Sequence, residues 1–182
     1  QQNAPKAYES IGKFALLIRK IMHHSEMEFI ELEEELSMLN VYLEMELLRL
    51  KKQFSYEINS NGITDIEIPP MLIQPYIENA IKHGLMHKKG EKVLTVEMYL
   101  DDDIFVCEIT DNGIGRKKTQ EMKERQNKLF KSFSGQSLNK RLDILKKQFG
   151  GDFGVEIIDL YNQNTEPIGT KVILRSPFRR KF

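Results

Sequence analysis

Apolar side chains recur at helical spacing in two stretches near the amino terminus. Residues 4 to 24 carry Ile11, Ala15, Ile18 and Met22 three or four positions apart, which is the spacing of one helix face. A second stretch, residues 31 to 52, repeats leucine in the same way, at Leu32, Leu36, Leu39, Leu43, Leu47 and Leu50. With only a short connection between them, the two stretches predict an antiparallel helical hairpin.

The apolar seams of this hairpin need a surface to pack against. Two copies could bury their seams in a four-helix bundle, which would make the protein a homodimer through residues 4–24 and 31–52. The hairpin could instead pack on the domain that follows it in the same chain. We expect the dimer and keep the second arrangement as the alternative.

The pattern changes after residue 52, where short alternating stretches predict strands. The predicted elements are a strand at 54–58, a helix at 70–84, strands at 93–100 and 104–110, a helix at 138–149, and strands at 155–160 and 170–174. Cys107 alternates with apolar neighbours and is expected in the core. The order predicts an α+β fold, a mixed and mostly antiparallel sheet with helices on one face, in a domain of residues 53–182 after a helical hairpin of residues 1–52.

Residues 112–137 are rich in charge and glycine and poor in apolar side chains. A connection of this length predicts a mobile functional loop with room for a helical turn. The basic tail Arg179-Arg180-Lys181 is expected to be solvated.

Composition narrows the function classes. Lys and Arg together number 27, as do Asp and Glu, so no basic excess points to a nucleic-acid binder. The single cysteine and four histidines show no zinc spacing and no catalytic triad pattern. No stretch predicts a membrane span or a signal peptide. Because the sequence starts without Met, we expect a piece of a longer protein, and a membrane-attached parent protein stays open.

A first polar patch lies at the end of the predicted helix 70–84. Asn79, Lys82 and His83 are three and four positions apart, so their side chains can converge on one ligand. An amide oxygen suits a hard cation, and the two basic side chains suit phosphate oxygens. The alternative is a solvated helix face.

A second patch follows the strand 104–110. Asp111 can accept hydrogen bonds from an amino group, and Gly113 and Gly115 let the backbone approach a ligand closely. The alternative is an ordinary turn. Weaker signals are Gly135, at the far end of the charged loop, and Gly169-Thr170, at the start of the last strand.

Taken together and in this order, these patches resemble the Bergerat ATP-binding fold. The upstream stretches Tyr42-Leu43-Glu44-Met45-Glu46 and Ile68-Pro69-Pro70-Met71-Leu72-Ile73-Gln74-Pro75 look like those of LytS/YehU-type bacterial sensor histidine kinases. The resemblance implies an enzyme that moves a phosphoryl group from Mg²⁺-ATP to a histidine and on to a response regulator. It also implies a cytoplasmic domain of a bacterial inner-membrane sensor protein.

The resemblance also implies residue roles. Asn79 would bind Mg²⁺, Asp111 the adenine amino group, and Lys82 and His83 the phosphates. Gly113, Gly115, Gly169 and Thr170 would shape the adenine pocket, and residues 116–135 would form a lid ending at Gly135. The lid bases that could meet phosphates are Arg116, Lys117, Lys118, Lys123, Arg125, Lys128 and Lys131.

The sequence departs from the family pattern in two places. The far end of the lid has one glycine where the family usually has a Gly-x-Gly pair. No His-Phe-x-Phe-Asn motif is present, so we expect the accepting histidine before Gln1 and no self-phosphorylation of this piece, with His23 or His24 as the less favoured acceptors.

Two other functions remain as alternatives. A related ATPase would carry a glutamate four residues before Asn79 to activate water, but that position is Pro75. A degenerate signalling module that binds nucleotide poorly is the other alternative, suggested by the single lid glycine.

Overall fold

The computed structural model of the chain describes residues 4–51, 53–125, 147 and 153–181. In chain order its elements are α1 (Ala4–Ser25), β1 (Ile30–Glu31), α2 (Leu32–Arg49), β2 (Ser55–Asn59), β3 (Ile66–Ile68), α3 (Gln74–Asn79), a π-helical turn (Ala80–Gly84), a 3₁₀ turn (Leu85–His87), β4 (Val93–Asp101), β5 (Ile104–Asp111), α4 (Gly115–Arg125), β6 (Gly154–Tyr161), β7 (Pro167–Pro177) and β8 (Arg179–Arg180).

The main sheet has five strands in the order β2-β4-β5-β7-β6. β2 runs parallel to β4, and every other neighbouring pair in this sheet is antiparallel. The predicted α+β class, with a mixed and mostly antiparallel sheet, is therefore confirmed.

One face of this sheet forms the floor of the core. Along β5, Phe105, Cys107 and Ile109 are buried on this face, as alternation in a strand requires. The buried position of Cys107 confirms its assignment to the core. Asp111, the last residue of β5, follows in the same alternation. Its carboxyl group therefore lies on the same apolar face of the sheet.

Helices α2 and α3 cover this face. Leu32, Leu39 and Leu43 of α2 lie in the same buried cluster as Ile77 of α3 and Val96 of β4. The leucine seam of α2 thus packs on its own domain, as in the alternative arrangement. The predicted division of the chain at residue 52 stays a prediction, but α2 and the sheet share one core.

Helix α1 lies on the far side of α2. Its Leu17 is buried against Ile30 and Met38, whereas Ile18 and Met22 are exposed. The predicted stripe of α1 is therefore divided between a packed side and an open side. The homodimer stays a prediction, for which this open side is the available surface.

The helix predicted at 70–84 begins later and ends differently. Met71 has a φ of 55°, which an α-helix excludes, and its amide donates to the Glu35 carboxylate of α2 at 2.9 Å. The α-helical part begins at Gln74, and residues 80–84 form the wider π-helical turn. The double proline Pro69-Pro70 therefore leads into a turn bound to α2 before the helix starts.

A second, three-stranded sheet was not predicted. It has the order β1-β3-β8 and joins the connection between α1 and α2 to the end of the described chain. The guanidinium of Arg179 lies 3.9 Å from the centre of the Phe29 ring and 2.9 Å from the Glu28 carboxylate. The basic tail is exposed, as expected, but its backbone pairs with β3. The sequence did not predict this sheet because two-residue strands are too short to show a hydrophobic pattern.

The charged stretch 112–137 contains α4, which is longer than the single helical turn predicted there. Residues 126–137 and, apart from residue 147, the predicted helix 138–149 lie outside the described residues. Within the described ranges no helix is long and apolar enough to cross a membrane.

Replacing Leu43 by alanine tests whether α2 belongs to the core. Leu43 has no exposed surface, so the cavity should lower the free energy of unfolding by about 2–5 kcal/mol. Urea denaturation should show one transition, at lower urea, in both helical and sheet signals. Leu48→Ala, on the same helix but at 57% exposure, is the control and should change stability little. An unchanged midpoint in Leu43→Ala would contradict the shared core.

Candidate functional site

The carboxyl group of Asp111 is the centre of the candidate site. It lies at the end of β5 and is only 4% exposed. The backbone amide of Gly113 donates to its Oδ1 at 2.8 Å. Burial raises the pKa of Asp111 to about 6, although the Gly113 hydrogen bond and the positive charge of Lys88 work in the opposite direction. Burial therefore disfavours the charged form of the Asp111 carboxyl group relative to water.

Three glycines pack closely around Asp111, two beside its carboxyl group and one beside its backbone carbonyl. A Cβ on Gly84 would lie 2.5 Å from the Asp111 Oδ1, one on Gly113 would overlap the backbone of Gly84, and one on Gly169 would overlap the Asp111 carbonyl oxygen. The helix end, the turn after β5 and the start of β7 can meet here only because these positions lack side chains. The structure thus brings the predicted residues Gly113 and Gly169 to Asp111.

Gly84 is a site residue that the sequence analysis missed. It was expected only to end the helix, yet it touches Gly113, and its carbonyl oxygen accepts a long hydrogen bond of 3.4 Å from the Ile114 amide. The signal available in the sequence was its place directly after Lys82 and His83.

Gly115 has a role of its own at the start of α4. Its φ of 77° lies in the left-handed region, and a Cβ there would lie 2.7 Å from the Cβ of Pro167. The sharp turn from β5 into α4 therefore requires glycine.

Lys88 is a second residue that the sequence analysis missed. Its Nζ donates to the Asn112 carbonyl oxygen at 2.5 Å, which places a positive charge beside Asp111. The side chain of Asn112 fixes the neighbouring strand, since its Oδ1 accepts from the Val93 amide at 2.9 Å. Nothing in the local sequence pattern distinguished Lys88 from the other lysines of its loop.

Asn79, Lys82 and His83 lie where α3 passes into the π-helical turn. Asn79 is the last residue of α3 and is partly buried. Lys82 forms an ion pair with Glu78 four residues earlier. The predicted convergence of the three side chains assumed α-helical spacing, which the wider turn alters. Their approach to a common ligand therefore stays a prediction.

The first part of the predicted lid is anchored on both sides of the site. Arg116 donates to the Asp159 carboxylate of β6 through Nε and Nη2, both at 2.8 Å, and this pairing lowers the pKa of Asp159. The hydroxyl of Thr119 lies 2.9 Å from the carbonyl oxygens of both His83 and Gly115. The remaining predicted lid, including Gly135, lies outside the described residues.

Thr170 and Asp159 extend the site across the sheet. In the strand register Asp111 pairs with Thr170, and Thr170 pairs with Asp159. Residues opposite one another share a face of the sheet, so these three side chains form one polar row where the core face ends.

His24 is placed unfavourably for accepting a phosphoryl group. It is 3% exposed, its Nε2 lies 2.8 Å from the Glu34 carboxylate, and its Nδ1 lies 3.4 Å from the Met38 sulfur. His23 is exposed at the end of α1. Among the described residues, no group of three or more His, Cys, Asp and Glu side chains could hold a metal ion.

Replacing Asp111 by asparagine tests the burial of this acid. Its pKa is higher in the folded chain than the ordinary 3.8, so the stability tied to this group is full at low pH and is lost as the pH rises through about 6. Asparagine keeps the oxygen that Gly113 needs. Without nucleotide, Asp111→Asn should therefore be more stable than the parent above about pH 7, by at most about 3 kcal/mol.

The difference should shrink toward zero between about pH 6 and 4. Urea denaturation at several pH values measures it. Asp103→Asn, in the exposed turn between β4 and β5, should show no such dependence. A constant difference between Asp111→Asn and the parent at every pH would contradict the raised pKa.

Comparisons with known proteins find similarity to histidine kinases. A family model described as histidine kinase matches residues 1–54. The sensor protein LytS of Oceanobacillus iheyensis is 32% identical over 114 residues, which are 62% of this chain and 20% of that protein. The sensor histidine kinase/phosphatase LytS of Staphylococcus aureus is 33% identical over 118 residues, 64% of this chain and 20% of that protein. The chain thus spans about one fifth of the length that these curated relatives have.

A solved structure supports the fold. The catalytic domain of the histidine kinase ThkA aligns with a TM-score of 0.51 at 16% identity, covering 83% of this chain and 96% of that one. The curated relatives are LytS sensor proteins, and the structural likeness, at 16% identity, shows the fold alone. The chain is similar in sequence to LytS-type sensor histidine kinases, and its fold is that of a histidine kinase catalytic domain.

Proposed function

We propose that this region binds Mg²⁺-ATP and donates its terminal phosphoryl group to a histidine of the sensor kinase, from which an aspartate of a response regulator receives it. The observation that carries this proposal is the buried Asp111 carboxyl group, with Gly84 and Gly113 beside it and Gly169 beside the Asp111 backbone. A site that excludes side chains around one acid suits a flat base with an amino group. The S. aureus relative is named a sensor histidine kinase/phosphatase, which fits this chemistry.

The hydrogen bonding of Asp111 fits adenine. Within the described residues, the amide of Gly113 is its hydrogen-bond donor and uses Oδ1. Oδ2 is then available to accept from the exocyclic amine of the base. Thr170, opposite Asp111 in the sheet, would line the same pocket with its hydroxyl group. Gly113 and Gly115 would let the backbone follow the edge of the base.

The phosphates would lie toward Asn79 and the π-helical turn. The described residues hold no cluster of acidic side chains around Asn79, so its amide oxygen would be one protein ligand of Mg²⁺, with phosphate oxygens and water as the others. Bound Mg²⁺ neutralises charge that spreads over the phosphoryl group during transfer. Lys82 and His83 would face the phosphates.

Hydrolysis of ATP, in which water receives the phosphoryl group, is less well supported. Pro75, at the first turn of α3, takes the place of the expected general base and has no proton-accepting side chain. Glu78 is engaged by Lys82. Transfer to a histidine needs no such base, because the imidazole is itself the nucleophile.

The quaternary arrangement is a further part of the proposal. The open side of α1, with Ile18 and Met22, borders a shallow groove of about 600 Å³ lined by Ala15, Arg19, His23, Ser25 and Glu26. A second copy that contacts this groove would bury both apolar side chains in a homodimer. The membrane attachment of the parent protein and its response regulator would then involve other parts and other chains.

Replacing Asp111 by alanine tests nucleotide binding. A ligand that binds the folded state at about a hundred times its Kd stabilises that state by about 2.7 kcal/mol. ATP with Mg²⁺ should therefore raise the Tm of the parent, and Asp111→Ala should remove the shift because the adenine amine loses its acceptor. Asp103→Ala, an exposed acid outside the site, should keep the full shift. Equal shifts in Asp111→Ala and the parent would refute the adenine assignment.

Replacing Asn79 by alanine tests metal binding. The protein should still fold, and the increase in ATP affinity that Mg²⁺ gives the parent should disappear. Isothermal titration with and without Mg²⁺ measures this difference. Asn164→Ala, in the exposed turn between β6 and β7, should behave like the parent. If Asn79→Ala kept the whole Mg²⁺ effect, Asn79 would not be the metal ligand.

A further inference from the structure

The hydroxyl group of Thr119 lies between α4 and the π-helical turn. Its oxygen is 2.9 Å from the His83 carbonyl oxygen and 2.9 Å from the Gly115 carbonyl oxygen, and the residue is only 9% exposed. A hydroxyl group has one proton to donate. The two carbonyl groups therefore share one buried donor.

The two contacts of this hydroxyl differ in what they join. A threonine in a helix commonly bonds to the carbonyl group four residues earlier, and α-helical geometry brings the Thr119 amide to that same Gly115 carbonyl group. The His83 carbonyl group is 36 residues away in sequence, in the π-helical turn that ends at Gly84. Carbonyl groups at a helix end accept hydrogen bonds from outside the helix. The contact with His83 is therefore the one that joins two elements.

The start of α4 is also fixed to the opposite side of the site. Arg116 binds the Asp159 carboxylate of β6 through two hydrogen bonds of 2.8 Å. The Ile114 amide, just before α4, lies 3.4 Å from the Gly84 carbonyl oxygen. The start of α4 thus forms a bridge from β6 to the π-helical turn, and the Thr119 side chain contacts the turn at its far end.

The π-helical turn carries Lys82 and His83, the two bases expected to face the phosphates. A π-helical turn is a rare and wider form of helix, so contacts from outside the turn must hold it in place. The ion pair of Lys82 with Glu78 is a poor restraint, because the two side chains are 46% and 38% exposed. A buried hydrogen bond to the backbone of His83 holds the turn more directly.

We propose that Thr119 is a positioning residue for phosphate binding: its hydroxyl group donates to the His83 carbonyl group and so holds Lys82 and His83 toward the phosphates of the nucleotide. The inference rests on the proposed nucleotide site and adds to it a residue that acts through the backbone of the π-helical turn. Asp111, the proposed partner of adenine, lies on another segment. Loss of the Thr119 hydroxyl should therefore affect the phosphates and leave the contact with the base unchanged.

Replacing Thr119 by valine removes the hydroxyl group and keeps the shape of the side chain. Binding of Mg²⁺-ATP should weaken by roughly two- to tenfold, the range of one hydrogen bond, because the two bases are held less firmly. Adenosine, which has no phosphate, should bind to Thr119→Val as tightly as to the parent. Thr119→Ser regains the hydroxyl group and should regain the ATP affinity of the parent. Isothermal titration with each ligand measures these affinities.

Thr95→Val is the matched control. Thr95 lies on β4 between the buried residues Leu94 and Val96, so its side chain is on the opposite face of the sheet. This variant should bind both ligands like the parent. Thr119→Ala also lacks the hydroxyl group, and because alanine favours helices it takes the place of Thr119→Val if the valine variant does not fold.

A variant without the two bases tests whether Thr119 acts through them. Replacing both Lys82 and His83 by alanine removes the side chains and keeps the carbonyl group at position 83. In this background Thr119→Val should have no further effect on ATP affinity, since the groups that it positions are missing. A loss of ATP affinity that persists in this background would place the action of Thr119 elsewhere and overturn the inference.

The remaining outcomes also decide the matter. Equal losses of affinity for ATP and adenosine would show a purely structural role for Thr119 and overturn the inference. An unchanged ATP affinity in Thr119→Val, or a failure of Thr119→Ser to restore it, would overturn it too. If the parent bound neither ligand, the proposed nucleotide site would fall, and this inference with it. Ligand binding by the parent therefore separates the two failures.

Discussion

The arrangement of this domain depends on holding one acid, Asp111, out of water. Asp111 is the last residue of β5, and its side chain lies on the apolar face of the sheet. A polar backbone group must therefore lie close enough to form a hydrogen bond with the carboxyl group. The backbone amide of Gly113 does so, and three segments meet around Asp111 at Gly84, Gly113 and Gly169. Because none of the three tolerates a Cβ, the path of the helix end, the turn after β5 and the start of β7 are fixed together. The burial of Asp111 therefore determines both the geometry of the site and the path of the chain around it.

Much of this could be predicted from the sequence where periodicity is long enough to be seen. The alternating residues of β4 and β5 identified the central hairpin, and the order of the polar patches grouped Asp111, Gly113 and Gly169 before any geometry was known. The contact of Gly84 with Gly113 could not be predicted, because a glycine after a helix is as common a sign of a helix end as of close packing.

Other features escaped because local sequence does not determine them. The π-helical turn at 80–84 uses residues that would equally suit an α-helix, so only the packing around it selects the wider turn. The leucines of α2 showed that the helix has an apolar face but not which surface covers it. The two-residue strands β1 and β8 exist only as partners of β3, and a pattern of that length carries no signal.

The small sheet also limits how the helices can move. Ile30 and Glu31 are in register with Ile68 and Glu67, immediately before α2 begins. A sliding motion of α2 along its axis would have to break this pairing or shift it by one residue, which would turn Ile30 from the core toward water. A small rotation about the junction at Glu31 requires neither change. The fold thus resists sliding of α2 along its axis and permits rotation of α2 about Glu31. A force applied to α2 would therefore change the angle between α2 and the sheet.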